Sequence, residues 1–329
     1  MEKKHLPLVL EEQGSFFIGG ERVERTAIEL GIPAFGAGHI TINQMYVEYM
    51  IPATEDRRIP VIMVHGGTLS GQSWKTTPDG RMGWDEYFVR NGHPVYIIDQ
   101  VSRARSGFDP AVYNNVREGL AEPSSQYSIF RSTDELTWKA WRLGPSYGVP
   151  FDDTQFPVDA AGELSKYNVA DLNAMFPAPG PNPTYSALSR LALQLGGAVL
   201  MGHSQGGAFP MQASYINPEG VKGLVLIEGG AALNGLTDQQ LATLTKFPIL
   251  NVYGDHLDAE SGVPGFSRRA LFDGCLDFIE KINAEGGHAQ MLYPPDLGIF
   301  GNTHMMMFDK NSLTIAGFIK DWIDNNVQL

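Results

Sequence analysis

Cysteine is almost absent from this 329-residue chain, and its scarcity excludes two kinds of structure. The single cysteine, Cys275, cannot form an intrachain disulfide or a zinc site built from cysteines. Long hydrophobic runs are also missing, because no apolar stretch reaches the ~18 residues that a membrane-spanning helix needs. We therefore expect no transmembrane segment.

Basic residues are too few to balance the acidic ones: 24 Lys and Arg stand against 37 Asp and Glu, a formal charge of −13. This excess of negative charge argues against nucleic acid and against anionic membrane surfaces as partners. The start of the chain also lacks the long apolar region of a signal peptide, since Leu6–Leu10 is followed at once by Glu11 and Glu12. The chain as given is expected to be cytoplasmic, or secreted or periplasmic if a signal peptide has been removed.

Short apolar runs alternate with amphipathic segments along most of the chain. Runs this uniformly apolar are typical of strands buried on both faces, so they predict an α/β fold with a mostly parallel twisted sheet and helices on both faces. The chain should end in a helix over roughly residues 311–325. The predicted strands are Val61–Val64, Val95–Ile98, Ala198–Met201, Leu224–Ile227, Ile249–Tyr253 and Ala289–Tyr293.

Two regions depart from this rhythm. Gly14–Arg25 and His39–Ile51 alternate apolar and polar residues, which predicts antiparallel strands at one edge of the sheet, with Gly19-Gly20 as a turn signal. Residues 108–185, called the insert below, interrupt the strand pattern and are rich in aromatic residues. We interpret the insert as a cap over a single domain of residues 1–329, with a purely structural insertion as the alternative. Its 10 acidic and 5 basic residues favour a neutral or cationic substrate.

The segment Gly202-His203-Ser204-Gln205-Gly206 matches the pattern G-x-S-x-G. It follows a predicted buried strand and precedes a helix-compatible run, which is the setting in which this turn exposes a nucleophilic serine. A Gly-rich packing turn is the alternative. The first buried strand ends in His65-Gly66-Gly67-Thr68, so the natural oxyanion donors are the N–H groups of Gly67 and Gln205. His65 is expected to order that loop.

Chain order narrows the choice of the general base. In hydrolases built around this motif, the acid and then the histidine follow the serine, which leaves three histidines. His256 follows a strand at a place where an acid normally lies, and His288 precedes the last predicted strand. His304 lies after that strand, in the loop before the final helix, where an imidazole can reach back to Ser204. A buried histidine bonded to backbone is the alternative for His304.

Two carboxylates compete for the role of the acid. Asp255 follows the strand at 249–253, the usual position in these hydrolases. Glu228 follows the preceding strand directly, where a carboxylate is costly to desolvate unless an imidazole or another partner faces it. Asp255 can instead be a turn residue with solvent nearby. The residues alone favour Glu228 and keep Asp255 as the alternative acid.

With these motifs in place, the chain resembles the α/β-hydrolase family, and more narrowly bacterial esterases with a Ser-Glu-His triad. The resemblance implies Ser204 as nucleophile, Glu228 as acid and His304 as base, and it implies a possible homodimer. Some relatives carry two adjacent cysteines where Gly67 and Thr68 stand here. The stretches that carry the resemblance are 79–84, 96–100 with Arg103, Arg105 and Ser106, 202–207 and 301–305.

These features predict a carboxylic-ester hydrolase that acts on a small-molecule ester through a serine acyl-enzyme. A lactonase with the same triad is one alternative, and a non-catalytic ligand receptor on the same fold is another. Epoxide hydrolase and dehalogenase chemistry are disfavoured because they need a carboxylate where Ser204 stands. The residues imply no metal and no organic cofactor.

Overall fold

A computed structural model of the protein describes residues 6–172, 182–229 and 236–328. Within these residues, eight strands form one sheet in the order β1-β2-β4-β3-β5-β6-β7-β8. The strands are β1 (Leu10–Arg25), β2 (Gly38–Pro52), β3 (Val61–Val64), β4 (Val95–Asp99), β5 (Ala198–His203), β6 (Val221–Ile227), β7 (Pro248–Val252) and β8 (His288–Leu292).

Strand direction divides the sheet into two parts. Strands β3 to β8 are parallel to their neighbours among themselves, whereas β2 pairs antiparallel with both β1 and β4. The predicted α/β class, the parallel strands and the antiparallel edge are thereby confirmed. Because the carboxyl ends of parallel strands lie at one edge, the residues that follow β3, β5, β6 and β7 come together there.

The Gly19-Gly20 pair does not form the predicted turn. Both glycines lie inside β1 with φ of +76° and +87°, and β1 continues to Arg25. Opposite them, Asn43 of β2 also has a positive φ of +58°. Glycine suits both positions, because it adopts a positive φ without the steric cost that a Cβ imposes.

Helices cover both faces of the sheet and bury two hydrophobic cores. Successive strand residues alternate between the cores: Ile62, Leu200 and Leu226 face one core, and Met63, Met201 and Ile227 face the other. This alternation explains why the parallel strands are apolar throughout. The helices are α1 (Trp84–Arg90), α2 (Ala111–Arg117), α3 (Asp134–Ala140), α4 (Ala161–Ser165), α5 (Pro183–Gln194), α6 (Phe209–Ile216), α7 (Asp238–Leu244), α8 (Arg268–Ala284) and α9 (Ser312–Asn326).

Up to residue 172, the described part of the insert contains the short helices α2, α3 and α4, and it also contributes to one of the cores. Trp138 and Trp141 are 5% and 8% exposed and pack against the core that includes Met305 to Phe308. The Trp138 indole N–H donates to the carbonyl of Val149 at 3.2 Å. No helix in the described parts of the chain is long and apolar enough to span a membrane.

Candidate active site

Ser204 occupies a sharp turn between β5 and α6. Its φ is +55°, and a 3-10 turn over Ser204–Ala208 joins it to the helix. A Cβ on Gly202 would overlap the carbonyl of Gly206, and a Cβ on Gly206 would overlap the carbonyl of His65. Both positions therefore require glycine, which is the physical reason for the G-x-S-x-G spacing at this turn.

His304 lies directly beside the serine. Its Nε2 is 2.8 Å from Ser204 Oγ, within hydrogen-bond distance. The backbone on both sides of the ring is fixed: the His304 N–H donates to the carbonyl of Trp141 at 2.9 Å, and the His304 carbonyl accepts from His203 Nε2 at 2.9 Å. Trp141 belongs to the insert, so the insert takes part in positioning this imidazole.

The loop that carries His304 is tied down by a buried aspartate. Asp309 accepts from the Thr303 N–H at 2.8 Å, the Thr303 hydroxyl at 2.8 Å and the Asn302 amide at 3.0 Å. Burial raises the pKa of Asp309 to about 6, against the opposing effect of these hydrogen bonds. Thr303 and Asn302 thus hold the backbone just before the imidazole in one conformation.

Glu228 contacts the other side of the imidazole. Its Oε2 accepts from His304 Nδ1 at 2.9 Å, and its Oε1 accepts from the Gly254 N–H at 2.6 Å. Arg142 of the insert forms a bidentate pair with it, through Nη1 to Oε2 at 3.1 Å and Nη2 to Oε1 at 2.5 Å. Burial alone would raise the pKa of Glu228, but Arg142 and the hydrogen bond from His304 outweigh it and hold that pKa well below its ordinary value.

Asp255 is occupied elsewhere. Its Oδ1 accepts from the His256 N–H at 2.6 Å and its Oδ2 accepts from the Gly301 N–H at 3.0 Å. Its backbone carbonyl accepts from Arg142 Nε at 2.6 Å. The Asp255 carboxylate thus ties its own turn to the loop that carries the imidazole, and of the two candidate acids it is Glu228 that meets His304.

The loop after β3 approaches the serine closely. A Cβ added to Gly66 would lie 3.0 Å from the Ser204 Cβ, so this approach depends on glycine. A Cβ on Gly67 would lie 3.6 Å from the Gln205 Cβ, so the two residues that are predicted to supply the oxyanion donors lie next to each other. The arrangement suits the binding of a carbonyl oxygen by backbone N–H groups.

The insert also fixes this loop. Thr68, with φ +56°, donates its N–H to Asp171 Oδ2 at 3.1 Å and its hydroxyl to Asn168 Oδ1 at 2.8 Å. Asp171 in turn forms a buried ion pair with Arg103. Arg103 also donates to the carbonyl of Leu69 at 3.0 Å. Asp171 and Asn168, which are distant in sequence, therefore hold Thr68 in a left-handed backbone conformation next to Gly67.

The other candidate histidines lie away from Ser204. His65 accepts from the Gln100 N–H at 3.1 Å and its Nδ1 lies 2.9 Å from the Gly66 carbonyl, while burial and Arg103 lower its pKa to about 3. His256 pairs with Asp153 at 2.8 Å, and His288 is an exposed residue at the start of β8. Among the described residues, Asp153, Asp255 and His256 form a group that could hold a metal ion; both carboxylate oxygens of Asp255 accept backbone N–H groups, from His256 and Gly301.

Two arginines near the site were not found from the sequence. Arg142 is the bidentate partner of Glu228, and Arg268, at the start of α8, places Nη2 3.4 Å from His304 Nε2. Burial first, and then the positive charge of Arg268, lower the pKa of His304 well below its ordinary value of 6.5. The only signal in the sequence was a basic residue within an acidic insert and a basic pair at 268–269.

Comparison with known proteins places this arrangement in context. No family model matches the chain. A solved structure of a novel bacterial esterase is 42% identical, covers 99% of both chains and superposes with a TM-score of 0.89. The probable secreted lipase phiG of a fungal species (strain ATCC 74256) is 28% identical over 323 residues, 85% of each chain. The chain therefore belongs to the α/β-hydrolase family, among its esterases and lipases.

Proposed function

We propose that the protein is a serine carboxylesterase in which Ser204, His304 and Glu228 form the catalytic triad. The observation that carries the proposal is one continuous hydrogen-bond chain: Ser204 Oγ to His304 Nε2 at 2.8 Å, and His304 Nδ1 to Glu228 Oε2 at 2.9 Å. Hydrogen-bond reach from nucleophile to base and from base to an orienting group is the geometric signature of an activated serine.

The first half of the reaction forms an acyl-enzyme. Glu228 accepts from Nδ1–H, which leaves the Nε2 lone pair of His304 free to take the proton of Ser204 Oγ. The oxygen then attacks the ester carbonyl carbon, and the carbonyl electrons move to its oxygen. His304 gives its proton to the departing alcohol oxygen as the tetrahedral intermediate collapses. In the second half, His304 takes a proton from a water molecule as its oxygen attacks the acyl carbon. The bond from that carbon to Ser204 Oγ then breaks, His304 returns the proton to Oγ, and the carboxylic acid is released.

The negative charge of the tetrahedral intermediate would be stabilised by the N–H groups of Gly67 and Gln205. Each such preorganised donor contributes about 3–4 kcal/mol to transition-state stabilisation. Support for this role comes from the close approach of Gly67 to Gln205 and from the bonds of Thr68 to Asp171 and Asn168, which fix the loop. Donors held in this way need no reorganisation as charge develops.

The same groups would open a lactone, and a panel of linear and cyclic esters distinguishes the two activities. A receptor role on this fold predicts binding of a ligand without its turnover.

The insert is proposed to cap the site, since it bonds to the loops that carry Gly67 and His304. Secretion is an alternative to a cytoplasmic location, and it is supported by the name of the fungal relative, a probable secreted lipase. A homodimer stays a prediction.

A fluorophosphonate probe tests the nucleophile directly. It should label Ser204, and Ser204→Ala should lose labelling while kcat on an activated ester falls by about 10⁶-fold. Ser214→Ala is the matched control, because Ser214 is a buried serine on α6 that bonds only to the carbonyl of Met211 in the described structure. Labelling at another serine, with full turnover in Ser204→Ala, would show that the proposed mechanism is wrong.

A further inference from the structure

Arg268 is a buried cation beside the reacting atoms. The residue is 7% exposed, and its guanidinium lies over the Phe266 ring at 4.7 Å from the centroid. Its Nη2 lies 3.4 Å from His304 Nε2, the nitrogen that faces Ser204. Its Nε has no hydrogen-bond partner among the described residues. A buried guanidinium with an unused donor is costly unless something else satisfies it.

The nearby carboxylates do not supply that partner. Glu228 is engaged by both terminal nitrogens of Arg142, and its closest approach to Arg268 is 4.0 Å, beyond hydrogen-bond distance. Asp309 is bonded to the loop before His304 and acts electrostatically on Arg142. Two guanidinium groups thus share the single carboxylate that meets His304, and among the described residues Arg268 has no carboxylate within hydrogen-bond distance.

The positive charge of Arg268 opposes the proposed reaction of a neutral ester. When His304 takes the proton of Ser204, an imidazolium forms within 3.4 Å of the Arg268 guanidinium, and like charges at that distance repel strongly in a buried site. An anionic group bound to Arg268 would cancel the repulsion just as the imidazolium forms. It could also accept from the unused Nε–H of the guanidinium.

We propose that Arg268 binds a carboxylate of the substrate, so that the preferred ester carries a negative charge close to its scissile bond. The inference rests on the proposed ester hydrolysis at Ser204 and names the class of ester. It reverses the expectation from composition, in which the acidic insert favours a neutral or cationic ester. The reason is that the charge summed over a segment does not determine the electrostatic field at one buried atom, and the Arg268 guanidinium lies 3.4 Å from His304 Nε2.

Two matched pairs of small esters test the proposal, because each pair differs only in charge. Monomethyl succinate and methyl succinamate place the carboxylate or its neutral amide isostere on the acyl side. Acetoxyacetate and 2-acetoxyacetamide place it on the alcohol side. We expect the wild type to prefer the anionic member of at least one pair by about tenfold or more in kcat/KM, the range for loss of a hydrogen bond to a charged group.

Arg268→Gln should abolish that preference, and Arg268→Lys should retain part of it. Arg269→Gln is the matched control, since Arg269 is the next residue on α8 and pairs at the surface with Asp258. It removes the same charge from the same turn and should leave the ratio unchanged. A wild type that prefers the neutral esters, or an Arg268→Gln ratio equal to that of the wild type, overturns the proposal.

A measurement on the wild type covers the case in which Arg268→Gln does not fold. Succinate should slow fluorophosphonate labelling of Ser204, and succinamide at the same concentration should not. Equal protection by both compounds contradicts the proposal. The experiments distinguish failure of the anionic preference from failure of the proposed ester hydrolysis. If 4-nitrophenyl acetate is hydrolysed only when Ser204 is present, ester hydrolysis at Ser204 is supported even if anionic esters are not preferred. If no ester is hydrolysed and Ser204 is not labelled, the proposed function itself is wrong.

Discussion

Replacing Glu228 by Gln changes one oxygen of the proposed triad into an amide, and its effect can be worked out from the bonds of each carboxylate oxygen. Oε1 accepts from Arg142 Nη2 and from the Gly254 N–H, whereas Oε2 accepts from Arg142 Nη1 and from His304 Nδ1. All four partners are donors. A glutamine must therefore point its NH₂ group at two of them.

The two amide orientations have unequal costs. With the NH₂ group at the Oε1 position, two donors that cannot change, Arg142 and the Gly254 N–H, both lose an acceptor. With the NH₂ group at the Oε2 position, only one bond to Arg142 is lost, because the His304 Nδ1 can give up its proton and accept. The second orientation is favoured by roughly one hydrogen bond to a charged or backbone donor, about 1.5–3 kcal/mol.

The favoured orientation gives the wrong tautomer of His304. Its Nε2 then carries the proton and cannot accept one from Ser204, so kcat should fall by up to ~10⁴. Stability should fall too, because Arg142 loses the negative charge of its buried partner along with one hydrogen bond, at about 3–5 kcal/mol in the free energy of unfolding. The assay is kcat on 4-nitrophenyl acetate, with circular dichroism and urea unfolding to establish that the variant is folded.

Asp255→Asn is the control for this experiment. The amide of the variant keeps one of the two acceptor positions that Asp255 offers to the His256 and Gly301 N–H groups. We therefore expect a loss of about 1–3 kcal/mol in stability and only a small loss in kcat. A large loss of kcat in Asp255→Asn, with Glu228→Gln close to wild type, would refute the reasoning and make Asp255 the acid.

Three further predictions address the surroundings of the triad. Gly202→Ala should destabilise the fold by about 3 kcal/mol in urea unfolding, because its Cβ would overlap the Gly206 carbonyl; an unchanged midpoint contradicts this. As pH falls, kcat/KM should begin to decrease only below pH 6.5, because the lowered pKa of His304 keeps the base neutral down to that pH. A decrease that begins above pH 6.5 would contradict the lowered pKa. Arg142→Met should lower the free energy of unfolding by about 3–5 kcal/mol and should also lower kcat, because it leaves buried Glu228 without its bidentate partner. If stability and kcat both stay at the wild-type values, the ion pair is dispensable.

The insert is where interpretation from composition was weakest. The sequence shows that the insert is rich in aromatic residues, and the structure shows that two of them, Trp138 and Trp141, are buried and pack in the core. Trp141 contributes its carbonyl to the His304 N–H, a role that any residue type could fill. An aromatic-rich segment predicts burial, but whether it is buried against substrate or against protein depends on the tertiary fold.

Strand placement was predictable because each signal is local. A parallel strand covered on both faces needs four or five consecutive apolar residues, and that pattern is visible in the sequence without knowledge of its neighbours. The boundaries agree to within a few residues, as β7 spans Pro248–Val252 against a predicted 249–253, and α9 spans Ser312–Asn326 against a predicted 311–325. The Gly19-Gly20 pair failed as a turn signal because glycine marks a positive φ, which occurs in bent strands as well as in turns.

By itself, the sequence determined how strands and helices follow one another along the chain, and it determined the serine turn. It also determined the candidate residues Ser204, His304, Glu228 and Asp255, since these depend on short patterns and chain order. Only the tertiary structure decided which carboxylate meets the imidazole, because Glu228 and Asp255 both follow parallel strands and differ only in where their side chains are held. It also revealed Arg268, whose effect on His304 arises from a 3.4 Å approach between residues 36 positions apart. Electrostatic interactions act through space, and a spacing along the chain cannot report them.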